Sequence, residues 1–291
     1  MAARVKCRTG KRRKMPDRPV SPRPVEAVGI VGWGRMGGPM GQFLLDRGWN
    51  VVFTEPSAQA REAATAAGAV DAASPAGVAA ACDLVLVVVV DDEQVRTVFV
   101  GADGLLSAAR PGTTLAICAS VRPDTCRELA AEAARHDVFV VDIALVGGER
   151  GAEQGGLKLF CGGDGAVIEN ARRAFAAFAI DVCAVGDVGC GQVAKTVNNL
   201  LLWSCLRADV EALRLGRALG VDPGKLRAFL SVGSGANRPL AEWGMHRLRW
   251  PGKDMEVALG LAAEAGVEMP LMEALAPLME QTTKADLDDL R

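Results

Sequence analysis

One stretch near the N-terminus constrains the fold most. Residues Val25 to Val31 are apolar enough for a buried strand, and they run directly into Gly32-Trp33-Gly34-Arg35-Met36-Gly37. Residues Met36 to Arg47 then follow a helical period that stops at Gly48. A strand, a G-x-G-x-x-G turn and a helix in this order predict a dinucleotide-binding βαβ unit. The backbone of Gly34 is expected to approach a pyrophosphate, which the helix N-terminus stabilises.

The next strand carries the second part of this pattern. Residues Val51 to Thr54 read as a strand that ends in Glu55, about 20 residues beyond the glycine turn. A carboxylate at this point hydrogen-bonds ribose hydroxyls and repels a 2′-phosphate, and Pro56 and Ser57 offer no cation to hold one. We therefore predict NAD as the cofactor in preference to NADP. The alternative is that Glu55 is a solvated loop residue.

Strand and helix patterns alternate along the first part of the chain. Val89 and Val90 end the third apolar run and are predicted to border the cofactor. The further segments are a helix at Ala58–Ala67, strands at Leu84–Val90, Thr114–Ala119 and Val138–Ile143, and a helix at Pro123–Arg135. Such alternation predicts an α/β fold, in which an N-terminal Rossmann domain contains a doubly wound parallel sheet.

From Gly189 onward only helical patterns remain, which predicts an all-α C-terminal domain. Four segments carry them, namely Val193–Leu219, Pro223–Leu230, Met255–Ala265 and Leu271–Met279. We expect three regions: a disordered basic tail at 1–24, an NAD-binding domain at 25–187 and a helical substrate and oligomerisation domain at 188–291.

Composition narrows the functional class. Residues 1–24 hold nine Lys or Arg and one acidic residue, although the whole chain has a net charge of −2. The acidic body argues against nucleic acid as the main partner.

No apolar span approaches the ~20 residues of a membrane helix. Eight cysteines without metal-ligand spacing suggest a reduced, cytoplasmic compartment, and two histidines make a His-rich metal site improbable, so we expect no metal.

Lys195 is the best candidate for proton transfer. The chain has no tyrosine, and His136 and His246 lie in unpromising surface-like contexts. Lys195 and Asn199 are four residues apart on one apolar helix, so they share a face. Desolvation in a cleft lowers the pKa of a lysine towards the range that is useful for acid–base catalysis. The alternative is a lysine that extends to solvent from a buried helix.

Several motifs together resemble the β-hydroxyacid dehydrogenase family. They are Gly29 to Met40, the stretch Asp142 to Gly163, the run Gly189-x-Gly191-x-x-x-Lys195-x-x-Asn198-Asn199, and Lys253-Asp254. The resemblance implies hydride transfer between a nicotinamide and a small hydroxy acid or its aldehyde or keto acid. It implies that Lys195 is the general acid/base, that Asn199, Gly147 and Gly148 contact substrate, and that Ser120 lies near nicotinamide and substrate. It also implies that Lys253 closes over the cofactor and that the helical domain forms a homodimer or homotetramer.

The chain departs from the family pattern where the substrate carboxylate is usually held. The family reads Asp-x-Pro-x-Ser-Gly-Gly, whereas this chain has Ala144 for the proline and Val146 for the serine. Valine neither donates nor accepts a hydrogen bond. Arg238 is a conceivable replacement clamp for a carboxylate, although core or surface packing is the favoured interpretation for Arg238, Trp243 and Trp250.

Two other functions stay open at this point. The same scaffold can reduce an imine or a less polar carbonyl, which the apolar Val146 favours and the retained Lys195 opposes. The chain can also be a dinucleotide-binding module without turnover, with the basic tail as its contact arm. Such a module has no need for a proton donor at Lys195.

Overall fold

The computed structural model describes residues 20–245, 248 and 251–291. Most of the predicted tail, His246 and Trp250 therefore lie outside the described residues. Within them, a mixed α/β region is followed by helices alone, as the sequence predicts.

Eight strands form one sheet in the order β3-β2-β1-β4-β5-β6-β7-β8. They are β1 (Ala27–Val31), β2 (Asn50–Thr54), β3 (Val70–Asp71), β4 (Leu84–Val87), β5 (Thr114–Ile117), β6 (Phe139–Val146), β7 (Leu157–Gly162) and β8 (Ala179–Gly186). The chain reverses its direction of progress across the sheet between β1 and β4. In open α/β sheets, ligands bind outside the carboxyl ends of the strands at such a switch point.

The predicted parallel sheet needs one correction. All described neighbouring strands are parallel except β6 and β7, which pair antiparallel with Ala144 opposite Phe160. The connection between them is only residues 147–156, shorter than the dozen or so residues that a parallel crossover needs. The chain therefore reverses direction after β6, and β7 runs antiparallel beside it.

Seven helices pack on the two faces of the sheet, and the sheet separates two apolar cores. They are α1 (Gly37–Asp46), α2 (Ala58–Ala66), α3 (Pro75–Ala81), α4 (Asp92–Val100), α5 (Pro123–Ala133), α6 (Gly148–Glu153) and α7 (Gly165–Phe175). Side chains of Ser57, Ser74, Asp91 and Asp164 cap the N-termini of α2, α3, α4 and α7. Such caps satisfy backbone N–H groups that lack a helical partner.

The helical region is built on one long helix. Its members are α8 (Cys190–Ala218), α9 (Pro223–Leu230), α10 (Arg238–Ala241), α11 (Pro251–Ala265), α12 (Pro270–Glu280) and α13 (Lys284–Asp288). Trp203, Leu206, Val210 and Leu213 of α8 enter a third apolar core together with Met279 of α12. The N-terminal part of α8 also packs against β6 and β7, so the two regions share α8. No helix among the described residues has the length and apolar character to span a membrane.

Candidate active site

The glycine-rich turn lies between β1 and α1 at the switch point of the sheet. Gly32 adopts a φ of +99°, which favours glycine. A Cβ on Gly37 would lie 2.0 Å from the carbonyl oxygen of Gly32, so only glycine lets α1 start this close to the strand. A Cβ on Gly34 would meet no atom within 4 Å. The open space at Gly34 and the tight contact at Gly37 fit the pyrophosphate of a dinucleotide at the start of α1.

Trp33 contributes its backbone to the turn and its side chain to the core. The indole is 7% exposed, and its ring centroid lies 5.4 Å from that of Phe53. A Cβ on Gly41 would lie 2.2 Å from the indole Cη2, so Gly41 makes room for this ring. Because the side chain is buried, only the main chain of Trp33 is available for the predicted cofactor contact.

Glu55 is buried at the end of β2. Its carboxylate accepts hydrogen bonds from the backbone N–H of Trp33 at 2.7 Å and of Ser57 at 2.8 Å. Glu55 is therefore an ordered part of the turn, unlike the solvated loop residue of the alternative interpretation. The guanidinium of Arg61 donates to the carbonyl oxygen of Glu55, and this neighbouring cation was not anticipated from the sequence.

A cavity of about 1210 Å³ opens between the sheet and the helical region. It brings together most of the predicted site residues, namely Gly34, Arg35, Met36, Val89, Val90, Ser120, Gly147, Gly148, Lys195 and Asn199. The remaining predicted residues, Gly32, Trp33, Gly37, Glu55 and Lys253, are absent from its lining. Strand β4 ends at Val87, earlier than predicted, so Val89 and Val90 belong to a loop on the cavity wall.

Lys195 projects from α8 into the cavity and donates a hydrogen bond to Oγ of Ser120, in the loop after β5. Burial lowers the pKa of Lys195 below its ordinary value, while the nearby carboxylate of Asp254 acts in the opposite direction. The positive charge of Lys253 lowers the pKa of Lys195 further. Lys253 itself is exposed at the start of α11.

Asp254 connects the helix that carries Lys195 to α11. Its Oδ2 accepts hydrogen bonds from Asn199 Nδ2 at 3.1 Å and from Trp203 Nε1 at 3.0 Å. Burial raises the pKa of Asp254, and these two donors and the charge of Lys195 oppose that rise. The sequence pattern drew attention to Lys253, whereas the structure gives the contacts to its neighbour Asp254.

Gln192 and Asp142 fix the start of α8, and neither was predicted as a site residue. Gln192 is 3% exposed; its Nε2 donates to the carbonyl oxygen of Ala119 at 3.0 Å, and its Oε1 accepts from Val121 N at 3.4 Å. The amide thus binds both neighbours of Ser120. The buried carboxylate of Asp142 accepts from Gly189 N at 2.5 Å and from Gln192 N at 2.8 Å.

The loop after β6 forms another wall. Ala144 is buried within β6, whereas Val146 lines the cavity. Gly147 and Gly148 follow with φ values of +118° and +61°. Both are exposed to the cavity, so backbone groups face it at the positions where the resemblance implies substrate contact.

Packing was favoured for both Arg238 and Trp243, and the structure agrees only for Trp243. Arg238, for which packing was favoured, lines the cavity from α10. Trp243 packs within the helical region, where its Nε1 donates to the carbonyl oxygen of Leu287 at 2.9 Å and Arg227 covers its ring. His136 is exposed beyond α5 and does not line the cavity.

Comparison with known proteins decides the family. Residues 27–186 match a family model described as the NAD binding domain of 6-phosphogluconate dehydrogenase. Residues 189–290 match one described as NAD-binding of NADP-dependent 3-hydroxyisobutyrate dehydrogenase. The chain belongs to the β-hydroxyacid dehydrogenase family. Family members are NAD(P)-dependent oxidoreductases that act on hydroxy acids, and the predicted fold class, a Rossmann domain followed by a helical domain, is confirmed.

Individual relatives agree with this assignment. A probable mitochondrial 3-hydroxyisobutyrate dehydrogenase of Dictyostelium discoideum is 34% identical over 72% of this chain and 65% of its own length. The 2-(hydroxymethyl)glutarate dehydrogenase of Eubacterium barkeri is 31% identical over 87% of this chain and 88% of its own length. A solved 3-hydroxyisobutyrate dehydrogenase of Mycobacterium tuberculosis with L-serine superposes with a TM-score of 0.83 at 25% identity, covering 91% of this chain and 99% of that one.

Proposed function

We propose that the chain reversibly oxidises a small β-hydroxy acid, with Lys195 as the general acid/base and NAD as the preferred cofactor. The observation that carries this proposal is the position of Lys195, which donates a hydrogen bond to Ser120 in the cavity that the glycine turn also lines. The bound nicotinamide supplies the hydride acceptor for oxidation and the donor for reduction.

Lys195 handles the proton that accompanies hydride transfer. In oxidation, its neutral amine accepts the hydroxyl proton of the substrate; in reduction, its ammonium returns a proton to the carbonyl oxygen. Because burial lowers its pKa, the neutral amine forms at a lower pH than on an exposed lysine. Ser120 holds the nitrogen on one side, and Asn199, fixed by Asp254, is available to the reacting oxygen.

The charges around the cavity favour an anionic substrate. Four basic residues line it, namely Arg35, Arg150, Lys195 and Arg238, against two carboxylates, Glu149 and Glu242, which pair with Arg35 and Arg238. This excess of positive charge occurs in a chain whose net charge is −2. A cleft of one sign concentrates ligands of the opposite sign. We infer that the substrate is anionic, and we place the carboxylate beside its reacting carbon at the backbone of Gly147 and Gly148.

The two other functions fit these features less well. An iminium substrate is itself a cation, so the net positive charge of the lining residues opposes its binding. A module that only binds a dinucleotide gains nothing from a desolvated lysine that costs free energy to bury. The site residues therefore favour a dehydrogenase of hydroxy acids over both alternatives.

The preference for NAD rests on Glu55. Its carboxylate is held by Trp33 and Ser57 at the carboxyl end of β2, where a 2′-phosphate of NADP would meet negative charge. The nearby Arg61 provides positive charge, but its guanidinium already contacts the Glu55 carbonyl and Asp71. We expect kcat/KM to be higher with NAD than with NADP, and Glu55→Gln to narrow that difference.

We further propose that the helical region forms a homodimer or homotetramer. Leu215 of α8 and Leu219 just after it are 62% and 75% exposed, and Phe229 of α9 and Val232 just after it are 75% and 88% exposed. Exposed apolar side chains of this size are a feature of interfaces when they form one patch. Light scattering after gel filtration is expected to give a molar mass that is a multiple of the 30.4 kDa of one chain. The Phe229→Glu variant is expected to have a lower molar mass in the same measurement.

One assay tests the proposed reaction. The purified protein is mixed with NAD or NADP and with β-hydroxy acids, simple alcohols or amines, and absorbance of the reduced nicotinamide is followed. We expect turnover with β-hydroxy acids such as 3-hydroxyisobutyrate and none with amines. Oxidation of amines without oxidation of any hydroxy acid would overturn the proposal in favour of imine chemistry.

A further inference from the structure

Two of the four basic residues that line the cavity are assigned neither to the cofactor nor to the reacting centre. Arg35 belongs to the glycine turn, and Lys195 faces the reacting centre. Arg150 of α6 and Arg238 of α10 remain. They come from different regions of the chain, and their contacts meet at one short stretch. Arg150 contacts Met245, whose N–H donates to the carbonyl oxygen of Glu242, and Arg238 pairs with the Glu242 carboxylate.

Arg238 is only partly occupied by protein contacts. Its Nε donates to Oε1 of Glu242 at 3.0 Å, one helical turn further on. Within the described residues no acceptor is recorded for its terminal Nη1 and Nη2 groups. These are the two nitrogens that present parallel donors to a carboxylate. The side chain is 58% exposed at the cavity.

Arg150 has a weaker partner. Its Nη1 contacts the thioether sulfur of Met245 at 2.9 Å, and no carboxylate of the described residues lies within ion-pair distance. A thioether is a weak hydrogen-bond acceptor for a charged donor. Each region thus brings one under-used guanidinium to the cavity, whose lining also includes the apolar side chains of Val146 and Leu202.

We propose that Arg150 and Arg238 form a second anion subsite, which selects hydroxy acids bearing a second carboxylate remote from the reacting carbon. This inference rests on the proposed function, because it specifies the substrate class of the same site. The reacting carboxylate lies at Gly147 and Gly148, and the distal carboxylate pairs with the two guanidinium groups. Glu242 competes with the distal carboxylate for Arg238.

Three probes separate charge from size. The first, 3-hydroxyisobutyrate, and the second, 2-(hydroxymethyl)glutarate, share one reacting half, a hydroxymethyl beside a carboxylate. They differ only where a methyl is replaced by a chain that ends in a second carboxylate. The third probe is the amide of that distal carboxylate, which keeps the length and removes the charge. With NAD saturating, kcat/KM is measured for each.

We expect the dicarboxylate to exceed both monocarboxylates by about tenfold or more, as one charge-assisted pair predicts. Arg238→Gln and Arg150→Gln should each remove about tenfold for the dicarboxylate and leave the monocarboxylates nearly unchanged. Glu242→Gln should act in the opposite direction and raise kcat/KM for the dicarboxylate alone. Arg135→Gln is the matched control, because Arg135 is 73% exposed and pairs with Glu132 away from the cavity.

The outcomes are distinct. An equal loss for all three probes in Arg238→Gln would overturn the second subsite, since Arg238 would then hold the carboxylate that the probes share. Equal kcat/KM for dicarboxylate and amide would overturn it as well. If no probe is oxidised, the proposed function fails, and the subsite is tested by the thermal shift that glutarate causes in the NADH-bound protein. A shift that Arg238→Gln abolishes and Arg135→Gln retains would support the subsite, and no shift would overturn it.

Discussion

Asn199 donates a hydrogen bond from Nδ2 to Oδ2 of Asp254 at 3.1 Å, and this bond joins the helix that bears Lys195 to the start of α11. Trp203, one turn further along α8, donates to the same oxygen at 3.0 Å. The negative charge of Asp254 opposes the lowering of the Lys195 pKa by burial. Asp254 therefore positions Asn199 and also sets the charge balance at Lys195.

Replacing Asp254 by asparagine should shift the pH profile of oxidation. Oxidation needs the neutral amine of Lys195, so kcat/KM rises as pH passes through the pKa of that group. Asp254→Asn removes the charge that raises this pKa, so the rise should occur at lower pH. The measurement is kcat/KM for a hydroxy acid across pH. Asp124→Asn, whose parent carboxylate pairs with exposed Arg127, is the control. A rise at an unchanged or higher pH would contradict the role of Asp254.

Gln192 should affect turnover by positioning Ser120. Gln192→Leu keeps the size of the side chain but leaves Ala119 O and Val121 N without their partner. We expect kcat to fall by about tenfold, because unsatisfied buried groups cost about 1–3 kcal/mol and displace the loop. Thr196→Val on the same helix removes only a bond to a helical carbonyl and should change kcat little. Equal effects of the two variants on kcat would show that Gln192 does not act by positioning Ser120.

The sequence allowed the parts of the site that follow from local periodicity to be predicted. The glycine turn was predictable because its spacing requires a strand before it and a helix after it. Lys195 and Asn199 were predictable as a pair because residues four apart share a helix face. Family motifs then pointed to Ser120, Gly147 and Gly148, which the structure brings into the same cavity.

Long-range contacts were not predictable in the same way. Nothing local distinguishes Arg238 from a surface arginine, and its place in the cavity depends on how α10 packs on α8. Trp33 lies in the motif but packs inward, because Gly41 leaves room for its ring and Phe53 packs against it. Strands β7 and β8 were missed because a charged residue, Lys158 or Asp181, interrupts each short apolar pattern.

The packing of Trp33 on Gly41 predicts a specific sensitivity. A Cβ at Gly41 would overlap the indole at 2.2 Å, so Gly41→Ala should displace Trp33 and distort the glycine turn. Overpacking of this kind costs about 1–3 kcal/mol. We expect a lower unfolding temperature and weaker NADH binding, measured by nucleotide fluorescence. Gly260→Ala is the control, because its Cβ would meet no atom within 4 Å and alanine favours a helix by about 1 kcal/mol. Unchanged NADH affinity in Gly41→Ala would contradict this account.

Asp83 should contribute stability that depends on pH. Its carboxylate accepts hydrogen bonds from Arg23 and Arg110 and from the backbone N–H groups of Glu26 and Ala27. Burial by itself raises the pKa of Asp83, but these donors outweigh it, and the pKa lies below the ordinary value of 3.8. A lowered pKa means that the folded state favours the charged form, so the contribution is present above that value and is lost as pH falls through the folded pKa.

Urea unfolding of Asp83→Asn measures this contribution. The variant should be less stable than the wild type by about 1–3 kcal/mol at pH 7, because some of the four donors lose their acceptor. The difference should shrink at pH values below 3.8, where the wild-type carboxylate becomes protonated. A difference that is the same at both pH values would mean that packing rather than charge accounts for it.

The most direct test of the central claim is Lys195→Ala, assayed for hydroxy-acid oxidation and, separately, for NADH binding. We predict that kcat falls by about 10² or more, as expected when a general acid/base is removed, while NADH binds with nearly unchanged affinity. Turnover that survives the substitution within a few-fold would contradict the assignment of Lys195 as the group that carries the proton.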